Sequence, residues 1–397
     1  MSSRQGRPMA SPESLASVNS VQRRVPDEPV RRRYRGCLLG GAIGDALGAP
    51  VEFLRHEEIL RRFGPPGITA MSPAYGRTGA VTDDTQMMLF TAEGMLRSHV
   101  RSSDRGICHP PTVIAHAYLR WLHTQGDALG ENAFVLDGWL IRQRELFARR
   151  APGVTCMSAL RAISRPGQPA RNDSKGCGGV MRVAPVGMML QSLACLRPER
   201  RDECFRDAFT LASDAAALTH GHPTGQLASG MFSGVVFQLL QGRTLPESID
   251  ATLPMLEGHD HHEETSQAVR NALRLAVDRP RSLAAIRELG EGWVAEEALA
   301  IGLYSALCSA DFESGVVLAV NHDGDSDSTG LIAGHLLGAI HGVEAIPGRW
   351  LEPLELREVI EDVADDLATV GNWEIGYVTH PKSISEAAYY EGRYPGH

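Results

Sequence analysis

The segment Asn321-His322-Asp323-Gly324-Asp325-Ser326-Asp327-Ser328-Thr329-Gly330 places three carboxylates on alternate positions among small residues. Alternating charges cannot form a core strand, because each unpaired buried carboxylate is too costly. Small and apolar residues follow from Leu331 to Ile340. The segment therefore reads as a loop entering a helix, with Ser, Thr or Asp available to cap it. Oxygen donors at this density suit hard cations such as Mg²⁺ or Ca²⁺. The register excludes an EF-hand. Counted from Asp323, Ser328 falls on that loop's glycine position and Gly334 on its bidentate glutamate position. The plainer reading is an acidic helix N-terminus favoured by the dipole.

Val81-Thr82-Asp83-Asp84-Thr85-Gln86 repeats the pattern ahead of a helical run from Met87 to Leu96. One hydroxyl with two carboxylates at a helix start is a cap; two such starts can converge on metal ions. Four carboxylates brought together repel one another, and divalent cations would neutralise them. The pattern therefore favours two metal ions, on the order of 4 Å apart.

Five stretches, in this order, resemble the ADP-ribosylglycohydrolase family. They are Gly40-Gly41-Ala42-Ile43-Gly44-Asp45-Ala46-Leu47-Gly48, Thr82-Asp83-Asp84-Thr85, Gly176-Cys177-Gly178-Gly179-Val180-Met181-Arg182, Thr219-His220-Gly221-His222-Pro223 and Asp325-Ser326-Asp327-Ser328. The resemblance spans about residues 34 to 342. It implies an all-α fold and a hydrolase that removes ADP-ribose from modified protein side chains, arginine first among them. It also implies two Mg²⁺ ions, or Mn²⁺ in their place, held by Thr82, Asp83 and Asp84 on one side and Asp325, Asp327 and Ser328 on the other. Asp83 and Asp84 carry the catalytic role, with Asp84 as the base that activates water. Asp323 falls where relatives often have glycine or another residue and stays outside the ligand set. Glu52, just past the first glycine-rich stretch, is either a site residue, as a Glu near this place is in relatives, or a solvated carboxylate. His220 is expected near the adenosine or distal ribose, and Trp293 near the adenine. Gly176, Cys177, Gly178 and Gly179 form a glycine-rich turn whose free N–H groups can cradle a diphosphate, or a plain loop. Lys175 stands where many relatives carry a small polar residue. Cys177 has no accompanying base motif and is expected to pack.

The elements that must position these groups are helices. Gly36, Gly40, Gly44 and Gly48 share one helical face, and Gly330, Gly334, Gly338 and Gly342 repeat the spacing after the aspartates. A helical glycine costs roughly 1 kcal/mol relative to alanine. Close approach of two such faces in the core would compensate. No strand precedes the first stretch and no G-x-G-x-x-G or G-K-[ST] registers, so a nucleotide-loop reading is poor. Long amphipathic segments dominate and strand-like alternation is scarce, which predicts a single all-α domain over residues 31–397 behind a flexible extension, residues 1–30. The run His259-Asp260-His261-His262-Glu263-Glu264 lacks the H-E-x-x-H spacing and reads as an exposed loop or helix cap.

Charge and composition limit the partners. Net charge is −9 at 43% hydrophobic content, which suits a globular protein. Residues 1–35 hold eight arginines against three acids, leaving the remainder near −14. An acidic body does not suit nucleic-acid binding. The basic arm suggests an alternative role: an immunity protein that blocks an ADP-ribosyltransferase toxin through its extension, with or without catalysis. No run of about 20 apolar residues predicts a membrane span, and no continuous apolar segment at the N-terminus reads as a secretory signal. Cys37, Cys108, Cys156, Cys177, Cys195, Cys204 and Cys308 form no C-x-x-C pair, which suits a reducing cytoplasm. A monomer is expected.

Overall fold

Glycine at every fourth residue lets two helices, Glu28–Gly48 and Ser326–His341, meet backbone to backbone in the middle of the fold. The computed structural model describes residues 23–128, 136–376 and 380–396. Its helices are, in order, α1 (Glu28–Gly48), α2 (His56–Phe63), α3 (Asp83–Arg105), α4 (Pro110–Thr124), α5 (Val154–Arg161), α6 (Ala184–Leu196), α7 (Arg201–Ala217), α8 (Pro223–Leu240) and α9 (Leu245–Glu257). There follow α10 (Glu263–Asp278), α11 (Leu283–Leu289), α12 (Ala295–Leu307), α13 (Phe312–Val320), α14 (Ser326–His341), α15 (Gly348–Leu351), α16 (Arg357–Thr369) and α17 (Pro381–Arg393). Among the described residues the only sheet is the pairing of β1 (Pro73–Ala74) with β2 (Arg77–Thr78). The protein is all-α, as its segments predict.

The two glycine faces are matched residue for residue. A Cβ added to Gly36, Gly40 or Gly44 would lie 2.3, 2.3 and 1.9 Å from the carbonyl oxygens of Gly338, Gly334 and Gly330. One at Gly48 would lie 2.4 Å from the Asp327 backbone. From Tyr34 onward α1 is buried all round except at Arg35, as is α14 from Ser326 to Ala339. A helix buried on every side belongs to a core rather than a surface. His335 on α14 sits against Gly41 and bonds the Cys37 carbonyl through Nδ1 at 2.8 Å. Burial pushes its imidazole down to about 4, so it packs there neutral. Around this pair, α12 and α13 pack on α14, α16 packs on α1, α7 and α6 pack on α8, and α4 packs on α3. The stretch Cys177–Leu196 is apolar enough to cross a membrane by composition, but most of it is buried inside the fold, where a core helix belongs.

The described residues begin ahead of residue 31, where the domain was expected to start. Residues 1–22, most of the expected extension, lie outside the described residues. Those from Arg23 on are part of the fold, and α1 begins at Glu28. The reason is the acidic face of α16. Arg23 bonds Asp366 at 2.9 Å and also Asp362. Arg35 reaches Asp365 at 2.8 Å and Glu361 at 2.6 Å. Arg24 engages Glu386 at 2.6 Å, and Arg32 engages Glu344 at 2.6 Å. Arg393 closes the cluster on Asp366 at 2.8 Å. These basic residues therefore tie the N-terminal segment to the C-terminal helices.

Gly334→Ala should lower unfolding stability by about 2–3 kcal/mol, because the added carbon overpacks a backbone contact. The same change at Gly392, whose Cβ would meet nothing within 4 Å, should leave stability within about 0.5 kcal/mol. Urea midpoints of the two variants check this; equal shifts would refute the close-packing account.

Candidate functional site

The two aspartate-bearing segments become the N-termini of α3 and α14 and face each other. Thr82 caps α3, its hydroxyl accepting the Asp84 N–H at 3.3 Å. Asp325 caps α14, accepting the Ser328 N–H at 3.4 Å. The Ser328 hydroxyl then donates to Asp84 Oδ2 at 2.8 Å and joins the two starts directly. Asp83 accepts the Gly153 N–H at 3.2 Å. Helix N-termini offer partial positive charge, but here they carry more acid than capping needs.

Asp83, Asp84, Asp325 and Asp327 are all buried. Glu52 joins them, with its Oε2 buried and without a hydrogen-bond partner. Burial pushes the carboxyls of Asp83, Asp84 and Asp325 well above the usual range, and the charge of Asp327 adds to the rise in all three. Burial first, then Asp327, Asp325 and Asp83, lift Glu52 to about 11. The five acids line one cleft of about 440 Å³, reached between the 149–155 segment, the 176–178 turn and the rings of Phe53 and Trp293. A larger cavity of about 710 Å³ lies between the N-terminal segment and α6, but Asp27 is its one acidic lining residue. The smaller cleft is therefore the candidate site.

The donors there are carboxylates and hydroxyls, the set that hard divalent cations take. Among the described residues no three His, Cys, Asp or Glu side chains are drawn together as a ready chelate. The oxygens are divided between two acidic pairs and the hydroxyls of Thr82 and Ser328. The orphaned Glu52 oxygen and the raised carboxyls both mark negative charge that lacks compensation within the chain. The residues present fit divalent cations on that ground.

The other residues singled out from sequence fall around this centre. Gly176, Cys177, Gly178, His220 and Trp293 line the cleft; Thr82 and Gly179 are buried beside its lining residues. The turn is held by the Cys177 N–H on the Trp293 carbonyl at 3.2 Å and the Ala295 N–H on the Lys175 carbonyl at 2.8 Å. Lys175 bonds Glu264 at 2.9 Å and also Glu296, so it latches the turn to α10 and α12. A Cβ on Gly178 would strike Cys156 Sγ at 2.8 Å and the His220 ring at 3.0 Å. This glycine thus makes room for its own wall, a second use besides any approach of a ligand. Cys177 does more than pack: its thiol neighbours Asp325, and burial raises its pKa. Burial drives His220 down to about 3, with Arg182 adding to the effect, so its imidazole is neutral; Nδ1 is 2.8 Å from the Thr219 hydroxyl. Trp293 lies two residues ahead of α12 and stacks on Phe53 at 5.4 Å. Asp323 instead bonds the His56 N–H at 2.8 Å and Arg287 at 2.9 Å, which anchors α2. The 259–262 run is a largely exposed loop ahead of α10.

Three contributors escaped sequence reasoning. Asp45, the one charged residue between Gly36 and Gly48, accepts the N–H groups of Thr82 at 3.0 Å and Thr85 at 3.2 Å. It thereby fixes the start of α3 against α1. Its place inside a glycine-rich helix was the available signal. Arg150 bonds the Val81 carbonyl at 2.8 Å and is buried against Glu355, and its own carbonyl takes the Asp83 N–H at 3.3 Å. Phe53 holds φ at 68°, rare for a bulky residue. Nothing local in the sequence marked either of the last two.

Burial, with Asp327 adding to it, raises Asp45 from 3.8 to about 7. The proton on it therefore favours the folded state below pH 4, and that contribution is lost as pH rises to about 7. In chelator, Asp45→Asn should gain stability relative to wild type by about 1–3 kcal/mol between pH 4.5 and 7.5. Paired urea midpoints at the two pH values measure it; a difference that does not change with pH would contradict the assignment.

A model of the ADP-ribosylglycohydrolase family matches residues 26–375. The ADP-ribosyl-[dinitrogen reductase] glycohydrolase of Rhodospirillum rubrum is 26% identical over 351 residues, 86% of this chain and 98% of the relative. The ADP-ribosylarginine hydrolase Tri1 of Serratia proteamaculans is 21% identical over 355 residues, 86% of this chain and 81% of the relative. A solved ADP-ribosylglycohydrolase-related protein complex superposes with a TM-score of 0.62 at 28% identity, covering 86% of this chain and 99% of that one.

Proposed function

The chain belongs to the ADP-ribosylglycohydrolase family, and we propose that it is a divalent-metal-dependent hydrolase releasing ADP-ribose from modified arginine side chains of proteins. The observation that carries this reading is the pair of aspartate-bearing helix starts joined by Ser328 and Asp84 in one acidic cleft. The arginine preference draws on the names of two bacterial relatives and on the acidic cleft, whose charge suits a cationic guanidinium.

Thr82, Asp83, Asp84, Asp325, Asp327 and Ser328 would hold two ions, Mg²⁺ or Mn²⁺, which polarise water and the ribose hydroxyls when bound. Asp84 takes a proton from the attacking water, and its bond from Ser328 fixes which oxygen remains free. The water oxygen bonds to the anomeric carbon as the carbon–nitrogen bond breaks. The oxocarbenium-like state between them is stabilised by neighbouring carboxylates. The departing guanidine nitrogen needs a proton. Glu52, which lines the same cleft, is the acid we assign to give it and to recover one from solvent, while Asp84 returns its proton to solvent. Neutral His220 adds no cation that would repel the substrate's guanidinium. The immunity alternative gains no support from the arm, because Arg23, Arg24, Arg32 and Arg35 are engaged within the chain.

Release of ADP-ribose should be measured from arginine-, serine- and nucleic-acid-linked substrates, with Mg²⁺, with Mn²⁺ and in chelator. The arginine linkage should be cleaved fastest, and chelator should abolish turnover. Asp325→Ala should lower kcat by at least about 10²-fold, comparable to loss of one strong transition-state contact, while its circular dichroism stays native. Full activity in chelator would sink the metal proposal, and a faster serine linkage would overturn the arginine assignment.

A further inference from the structure

The cleft contains a charge mismatch. It is lined by five carboxylates, yet an ADP-ribosyl group brings a diphosphate that is itself an anion. Lining the cleft there is one permanently charged cation, Arg149. His220 cannot serve, because it is neutral. We infer that Arg149 is the side chain that recognises the substrate's diphosphate and holds it away from the aspartates. This rests on the reading of the cleft as an ADP-ribosyl site.

Three observations support it. Arg149 is exposed and, among the described residues, makes no hydrogen bond or ion pair. Its field reaches Asp127, but that carboxylate is already engaged by Arg161 at 2.7 Å. The guanidinium is therefore free for a ligand. Second, the backbone carrying it is rigidly joined to the catalytic centre. Arg150 is fixed by Glu355 and the Val81 carbonyl. Its carbonyl accepts from Asp83, and Gly153 donates back to the same aspartate. Third, Ala151 between them has φ of 47°. A non-glycine residue in that region stores strain, which persists where the surrounding structure over-determines it, often at binding sites. A planar guanidinium matches phosphate oxygens in bidentate fashion, whereas an ammonium acts as a point charge.

The test is calorimetric titration of ADP-ribose and of adenosine into wild type, Arg149→Ala and Arg149→Lys, alongside turnover of ADP-ribosyl-arginine. Arg149→Ala should weaken ADP-ribose binding about tenfold and raise KM by a similar factor, with the loss in KM rather than kcat. Adenosine affinity should not move. Arg149→Lys should recover part of the loss, and the wild-type advantage should shrink in high salt. Unchanged ADP-ribose affinity in Arg149→Ala would overturn the inference, as would an equal loss for adenosine, which would make Arg149 a mere support of the rim. If wild type binds ADP-ribose through Arg149 but cleaves no ADP-ribosylated substrate, the hydrolase reading fails and this assignment stands. Wild type without affinity for ADP-ribose would overturn both.

Discussion

Everything in this molecule depends on one constraint: carboxylates confined, out of water, at the point where two helices touch backbone to backbone. The contact of Gly44 with Gly330, and of Gly48 with Asp327, fixes the start of α14 against the end of α1. Asp45, one residue past that contact, reaches across and fixes the start of α3. Three helix termini are thereby set in register, and each delivers acid to the same place. Bulkier residues on either glycine face would separate the helices and disperse the cluster. Without a cation the cluster is an unfavourable concentration of charge, relieved only by taking up protons.

The same constraint explains the contrast between the centre and the surface. Along α16 the acids are matched by arginines: Asp366 and Asp362 are shared by Arg23 and Arg393, and Asp365 is held by Arg35, which together anchor the chain's two ends. Inside the cleft there is no such matching. Five acids meet one rim arginine, and that excess sets the cleft apart from a structural ion-pair network.

Much of this was legible in the sequence, for identifiable reasons. The four-residue glycine spacing has one economical explanation, and the two helices it implied are the central pair. The acidic helix starts could be located because a hydroxyl with two carboxylates ahead of an apolar run is a local signal. What stayed hidden was non-local. That Asp45 accepts from the start of a helix some forty residues on, that Arg150 clamps the Val81 carbonyl, and that Phe53 stacks on Trp293 are facts of packing. The docking of Arg23 and Arg35 was hidden because the acids of α16 that hold them lie more than three hundred residues away. Gly178 was read as room for a ligand, and the fold shows it making room also for Cys156 and His220.

The central claim is that the cluster formed by α3 and α14 is a binuclear cation site. The most direct test is a crystal grown with Mn²⁺ and measured at a wavelength where manganese scatters anomalously. The account predicts two anomalous peaks on the order of 4 Å apart, between Asp83 and Asp84 on one side and Asp325 and Asp327 on the other. An occupied lattice with no anomalous density there, at a Mn²⁺ concentration that supports full turnover, would contradict it.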